Sequence, residues 1–157
     1  MTTSQPDAFI KDKYGNTALH LAVKYLDVDL CKSLLPMLQE RNDAGHTPLH
    51  VAAIRGAVRV VDYFMGVDSR LAFIKDNGGN TPLHLAALND NAQSAKLLVV
   101  AKDEKNNDGL TALDLAVKNK FSNVIGIFAE PMDEIESRIA EIQNQLNEVV
   151  KLIGKKK

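Results

Sequence analysis

Four stretches of the chain carry nearly the same words. Gly15 onward reads GNTALHLAVKYL, Gly45 onward GHTPLHVAAIRG, Gly79 onward GNTPLHLAALND and Gly109 onward GLTALDLAVKNK. A phrase that returns four times in 157 residues marks four copies of one structural unit, a tighter constraint on the fold than any composition. The opening threonines Thr17, Thr47, Thr81 and Thr111 are spaced by 30, 34 and 30 residues, so a period of 64 overlies the basic one. AFIKD at residues 8–12 returns word for word at 72–76, and Glu40-Arg41-Asn42 returns as Glu104-Lys105-Asn106. Duplication of a two-unit block accounts for both. Residues 8–11 then read as the tail of a preceding unit, with the chain starting inside a longer array.

Local signals agree within each unit. A turn rich in Gly, Asn and Asp comes first (DKYGN, NDAGH, DNGGN, NNDGL), with glycine two residues before the threonine, where a positive φ suits Gly. The threonine hydroxyl is placed to cap a helix, and Pro48 and Pro82 suit its first turn. LHLAA-type words supply a short helix whose alanines allow close packing. After a polar break a second helix follows: DVDLCKSLLPML, AVRVVDYFM, NAQSAKLLVVA and FSNVIGIFA. Helices this short are unstable alone, so stacking must stabilise them.

The pattern D-x-x-G-x-T-P-L-H-L-A-A followed by a second amphipathic helix resembles the ankyrin repeat, over roughly residues 8–130. The resemblance implies an all-α solenoid of L-shaped helix-turn-helix units with β-turn tips. The expected units are 12–41, 42–75, 76–105 and 106–130, with an amphipathic helix over 131–157. The chain departs from the family pattern at Ala18 and Ala112 in place of Pro, and at Asp114 in place of His. Only Gly56 fills the glycine slot between helices, and two units run three residues short.

The residues offer little chemistry. His20, His50 and His84 share one repeat position, but neighbouring units lie about 10 Å apart, too far for ligands of one zinc ion. They read as capping or turn-bridging groups. The lone Cys31 has no partner placed to activate it and reads as a core thiol. Asn77-Gly78-Gly79-Asn80 lacks the lysine of a phosphate loop. We expect no catalytic residues, no metal and no cofactor. A net charge of −1 gives no general attraction to nucleic acid or anionic membrane. The apolar runs are shorter than the ~18 residues of a membrane span, and the first 15 residues lack a secretory pattern. One unpaired cysteine suits a reducing compartment, and cytoplasm is the expected location.

What remains is binding. Repeat arrays present equivalent positions at fixed spacing along a concave face. The resemblance points to the turn tips and the far end of each first helix. Carried over by repeat position, the candidates are Tyr14, Asn16, Tyr25, His46, Ile54, Arg55, Asn80, Leu88 and Leu110. Interface anchors favour Tyr and Arg, which centres the expected site on the first two units. A protein partner is expected, in either of two modes: a non-catalytic interaction module or scaffold, or a monomeric regulatory subunit that masks one enzyme or assembly.

The pattern changes after Glu130-Pro131. Asp133 with Glu136 resembles a capping box, and Gly154 with the lysines at 155–157 marks a helix end. Between them Ile135, Ile139, Ile142, Leu146, Val149 and Ile153 step by 4, 3, 4, 3 and 4, a heptad seam. β-Branched residues at both core positions favour three or four strands over two. Three readings stay open: self-association into trimers or tetramers, folding back to cap the apolar last unit (Phe121, Val124, Ile125, Ile127, Phe128), or docking in a partner's groove. Five acidic residues on the polar face argue against a membrane surface.

Overall fold

A computed structural model of the chain describes residues 9–129 and 132–154. Its described residues are all-α. Four helix pairs follow one another: α1 (Ala18–Lys24) with α2 (Val28–Ser33), α3 (Pro48–Arg55) with α4 (Val58–Val67), α5 (Pro82–Leu88) with α6 (Ala92–Leu98), and α7 (Ala112–Asn119) with α8 (Ser122–Phe128). A longer helix, α9 (Met132–Gly154), comes last. Short 3-10 turns at Leu35–Met37, Ser69–Phe73 and Val99–Ala101 lead out of the second helices.

Each first helix starts the same way. Thr17, Thr47, Thr81 and Thr111 hold extended N-cap backbones with ψ between 167° and 171°. The hydroxyl receives the N–H three residues on, and the side chain at that third position returns to the threonine's own N–H, closing a capping box. That third residue is His20, His50 or His84 in the first three units and Asp114 in the fourth. With α1, α5 and α6 seven residues long, isolated helices would melt. Instead α1, α3, α5 and α7 pack side by side in one layer, and α2, α4, α6 and α8 form a second layer against it. Leu19, Leu49 and Leu83 are fully buried at equivalent positions, and Ala52, Ala53, Ala86 and Ala87 let adjacent helix backbones close on one another. Phe64, Met37, Leu71 and Leu98 fill the space between the layers.

The turn between first and second helices requires a left-handed residue. Gly56 sits there at φ 63°, but the other three units place Leu26 (61°), Asp90 (54°) and Lys120 (59°) in that conformation. A side chain there costs about 1–2 kcal/mol, partly offset by glycine's larger unfolded-state entropy. Leu26 is half exposed, so little packing is at stake. Leu26→Gly should therefore stabilise the protein by ~1 kcal/mol in urea unfolding. A loss of stability would mean that the Leu26 side chain contributes more than its backbone costs.

The Glu130-Pro131 break and the lysines at 155–157 lie outside the described residues, as do Ala8 of the expected N-terminal tail and the Asp133 side chain of the expected capping box. Ile10, within that tail, is 66% exposed, whereas its counterpart Ile74 packs against the core.

Candidate functional site

The turn tips are built by one device used four times. Asp12 Oδ1 accepts the N–H groups of Tyr14 and Asn16, each at 2.9 Å. Asn42, Asp76 and Asn106 do the same for the residues two and four ahead of them. Each tip also closes by a backbone bond, such as Asp12 N–H to the Asn16 carbonyl at 2.9 Å. No strand is assigned among the described residues, yet successive tips are joined like rungs. The N–H of Asp43 reaches the Tyr14 carbonyl at 3.1 Å, that of Asn77 the Ala44 carbonyl at 3.1 Å, and that of Asn107 the Gly78 carbonyl at 3.0 Å. A second ladder runs beside them: Lys11 Nζ donates to the Arg41 carbonyl at 2.9 Å, Arg41 to the Lys75 carbonyl at 2.6 Å and Lys75 to the Lys105 carbonyl at 2.8 Å. Glu40 and Glu104 hold the two lysines at 3.1 and 3.0 Å.

The repeated histidines form a third ladder. Each ring accepts the Thr N–H at Nδ1, which fixes the proton on Nε2. Nε2 then donates to a carbonyl of the next unit: His20 to His46 at 2.8 Å, His50 to Asn80 at 3.0 Å and His84 to Leu110 at 2.9 Å. Capping and turn-bridging are thus done by the same ring. Protonation would put a second N–H against the threonine N–H, and burial removes the water that would solvate the charge. Burial accordingly pushes all three below the usual histidine range, His50 to about 4.

Against this frame the nine candidate residues divide. Tyr14 (60% exposed), Tyr25 (72%), Leu88 (39%) and Arg55 face solvent. Lys13 Nζ lies 5.0 Å from the Tyr14 ring centre and Lys24 Nζ 5.9 Å from that of Tyr25, so both aromatic faces are shared with a cation. The other five are half-buried. Asn16 and Asn80 accept the side-chain amides of Asn42 and Asn106, each at 3.0 Å. His46 stacks on His50 with ring centres 5.7 Å apart and meets Asp76 Oδ2 at 3.2 Å. Ile54 and Leu110 lend their carbonyls to Asn91 and His84. The structure also exposes Leu30, Val67, Phe73 and Val100 on the second-helix side. Phe73 repeats Phe9 in the returning AFIKD word, whereas the repeat positions of Leu30, Val67 and Val100 carry no shared residue type that would have marked them.

Among the described residues titratable groups do not gather into a reactive cluster. Among the described residues no group of three or more His, Cys, Asp or Glu could hold a metal ion. Cys31 is buried, and its thiol is pushed up to about 11, first by burial and then by the Asp27 carboxylate, so little thiolate forms at neutral pH. No described helix is long and apolar enough to cross a membrane.

In α9 the expected seam lies open. Ile139, Ile142, Leu146, Val149 and Ile153 are 50–66% exposed, so the array does not cover them; Ile135 is half-buried. Phe121, Ile125, Ile127 and Phe128 of the last unit pack instead onto the array's own core.

Comparison with known sequences agrees with this architecture. Residues 2–71 match the family described as ankyrin repeats (3 copies), and residues 68–116 match ankyrin repeats (many copies). The chain is also similar to the nuclear factor NF-kappa-B p105 subunit of Gallus gallus, 30% identical over 122 residues. That match covers 69% of this chain but 12% of the p105 protein. Four Thr-capped helix pairs joined tip to tip, together with these matches, make the chain a member of the ankyrin repeat family, whose repeats generally mediate protein–protein interaction without catalysis.

Proposed function

We propose that the protein is a non-catalytic binding module that holds a partner protein against its tips and first-helix ends, with α9 making it multivalent as a trimer or tetramer. The units divide at 12–41, 42–75, 76–105 and 106–130, and residues 131–157 form a separate association element. We place its work in the cytoplasm. The observation that carries the reading is the contrast between a tip frame bonded along its length and the exposed groups it carries: Tyr14, Tyr25, Arg55 and Leu88. Anchors on a rigid frame lose little entropy on binding, and Tyr and Arg dominate interface energetics. The open seam of α9 supports the multivalent part, because linked weak sites gain avidity through effective concentration.

The test begins with partners recovered from cells and measured by titration against purified variants. Tyr25→Ala and Arg55→Ala should each weaken a bound partner by about tenfold or more. Gln93→Ala, on the second-helix side, should leave binding unchanged. A partner that binds the Tyr14→Ala/Tyr25→Ala/Arg55→Ala triple variant as tightly as the wild type would end this reading of the surface.

A further inference from the structure

We propose that the occupant of the α9 seam is α9 itself, in an antiparallel four-helix bundle that sends two repeat arrays out of each end. This rests on the self-association reading above and adds the number and direction of the strands.

The number follows from the width of the apolar stripe. α9 is 23 residues long, about 34 Å, and a heptad spacing by itself sets no strand number. Beyond Leu146, however, the stripe widens: Val150 and Leu152 flank the seam and are 59% and 64% exposed. One neighbouring helix covers core positions, whereas apolar flanking positions need a second neighbour. An open stripe of this extent marks an interaction site. The branched residues at both core positions, Ile139 and Ile153 at one and Ile135, Ile142 and Val149 at the other, also disfavour a parallel two-stranded coil.

The direction follows from charge and from the flanking amides. The sequence puts Asp133, Glu134 and Glu136 at the start of the helix, and Lys151 with the lysines at 155–157 at its end. Parallel strands would stack like charges at both ends and align their dipoles. Antiparallel strands set each acidic start beside a basic end. The antiparallel register is also complete: Ile135 faces Ile153, Ile139 faces Val149 and Ile142 faces Leu146 of the neighbouring copy, and each pairing recurs across the dyad. Gln143 and Gln145 flank the midpoint, so each meets its own copy, and an amide both donates and accepts. In a parallel coil Gln145 would face Val150 instead. Finally, every array leaves from the start of its α9. Parallel strands would crowd four arrays at one end, whereas antiparallel strands divide them two and two.

The experiment uses the full chain. Two variants, Glu136→Cys and Asn147→Cys, both exposed and outside the apolar stripe, are made with different tags, and the native Cys31 is buried and stays in place. Light scattering should give four times the chain mass of 17.2 kDa for the wild type and both variants. A short bismaleimide should then join Glu136→Cys to Asn147→Cys in the mixture, in about tenfold excess over joining within either variant alone. A trimer, or efficient joining of Glu136→Cys to itself, overturns this proposal and leaves self-association standing. A dimer mass overturns the four-strand count. A monomer at concentrations up to about 100 µM overturns this proposal and the multivalent reading together.

Discussion

Gly79→Ala should lower the thermal midpoint by about 10 °C, and the same change at Gly109 by only a few degrees. The two glycines have almost the same backbone, φ +75° and +74°, so both substitutions incur the left-handed cost of about 1–2 kcal/mol. They differ in what lies beyond. A Cβ at Gly79 would sit 2.7 Å from the backbone nitrogen of Asn107, where contact can be relieved only by parting the tips. Parting them breaks the Asn107 N–H bond to the Gly78 carbonyl and the Asn107 side-chain bond to the Asn77 carbonyl. At Gly109 nothing lies within 4 Å. Gly45→Ala should resemble Gly79→Ala, since its Cβ would meet the Asn77 nitrogen at 2.7 Å. Thermal unfolding followed by circular dichroism decides the matter. Equal losses at Gly79 and Gly109 would show that the conformation of the turn matters and the approach of the tips does not.

The second large effect is on pH. A buried histidine whose folded pKa is depressed is held neutral by the native state, while the unfolded chain takes a proton near pH 6.5. Between those values the unfolded state binds more protons, so stability is full above pH 6.5 and falls as pH drops. For His50, with a folded value of about 4, the loss by that pH is on the order of 3 kcal/mol. His20 and His84 are shifted the same way, chiefly by burial, and add to the slope. Urea unfolding between pH 7.5 and about 4.5 should show this decline. His50→Gln supplies a control, because Gln is a natural partner in a Thr capping box and does not titrate. Its pH slope should be shallower by up to one proton. A slope identical to the wild type would mean that His50 is not among the groups responsible.

The repeat itself was plain in the sequence, because identical words impose identical local structure: the Thr caps, the glycine turns and the paired helices stand where the pattern put them. What sequence could not supply was the bonding between units. Asn16, His46 and Asn80 sit at tip positions that exposure alone would make available, but each is engaged by a residue 26–30 positions away. Tyr14 and Tyr25 remain exposed because no equivalent neighbour reaches them. The left-handed Leu26, Asp90 and Lys120 were also hidden, since none carries the glycine that usually announces such a backbone. For α9 the heptad pattern revealed a surface in need of cover without identifying the cover.

The histidine ladder has a direction. Each ring takes its cap from its own unit and gives its remaining proton to the unit that follows, until Asp114 replaces the donor with an acceptor. Among the described residues the fourth unit therefore receives a bond from His84 while its own carboxylate turns back to Thr111. In a chain of nearest-neighbour couplings, an interior member is held from both sides and the last member from one. Loosening that starts at α7 and α8, or at α1 and α2, breaks one coupling, whereas loosening that starts at α3 and α4 breaks two. Among the described units the first and the fourth are thus each held from one side, and at the fourth the exchange of a single proton-giving ring for a carboxylate is the ladder's punctuation mark.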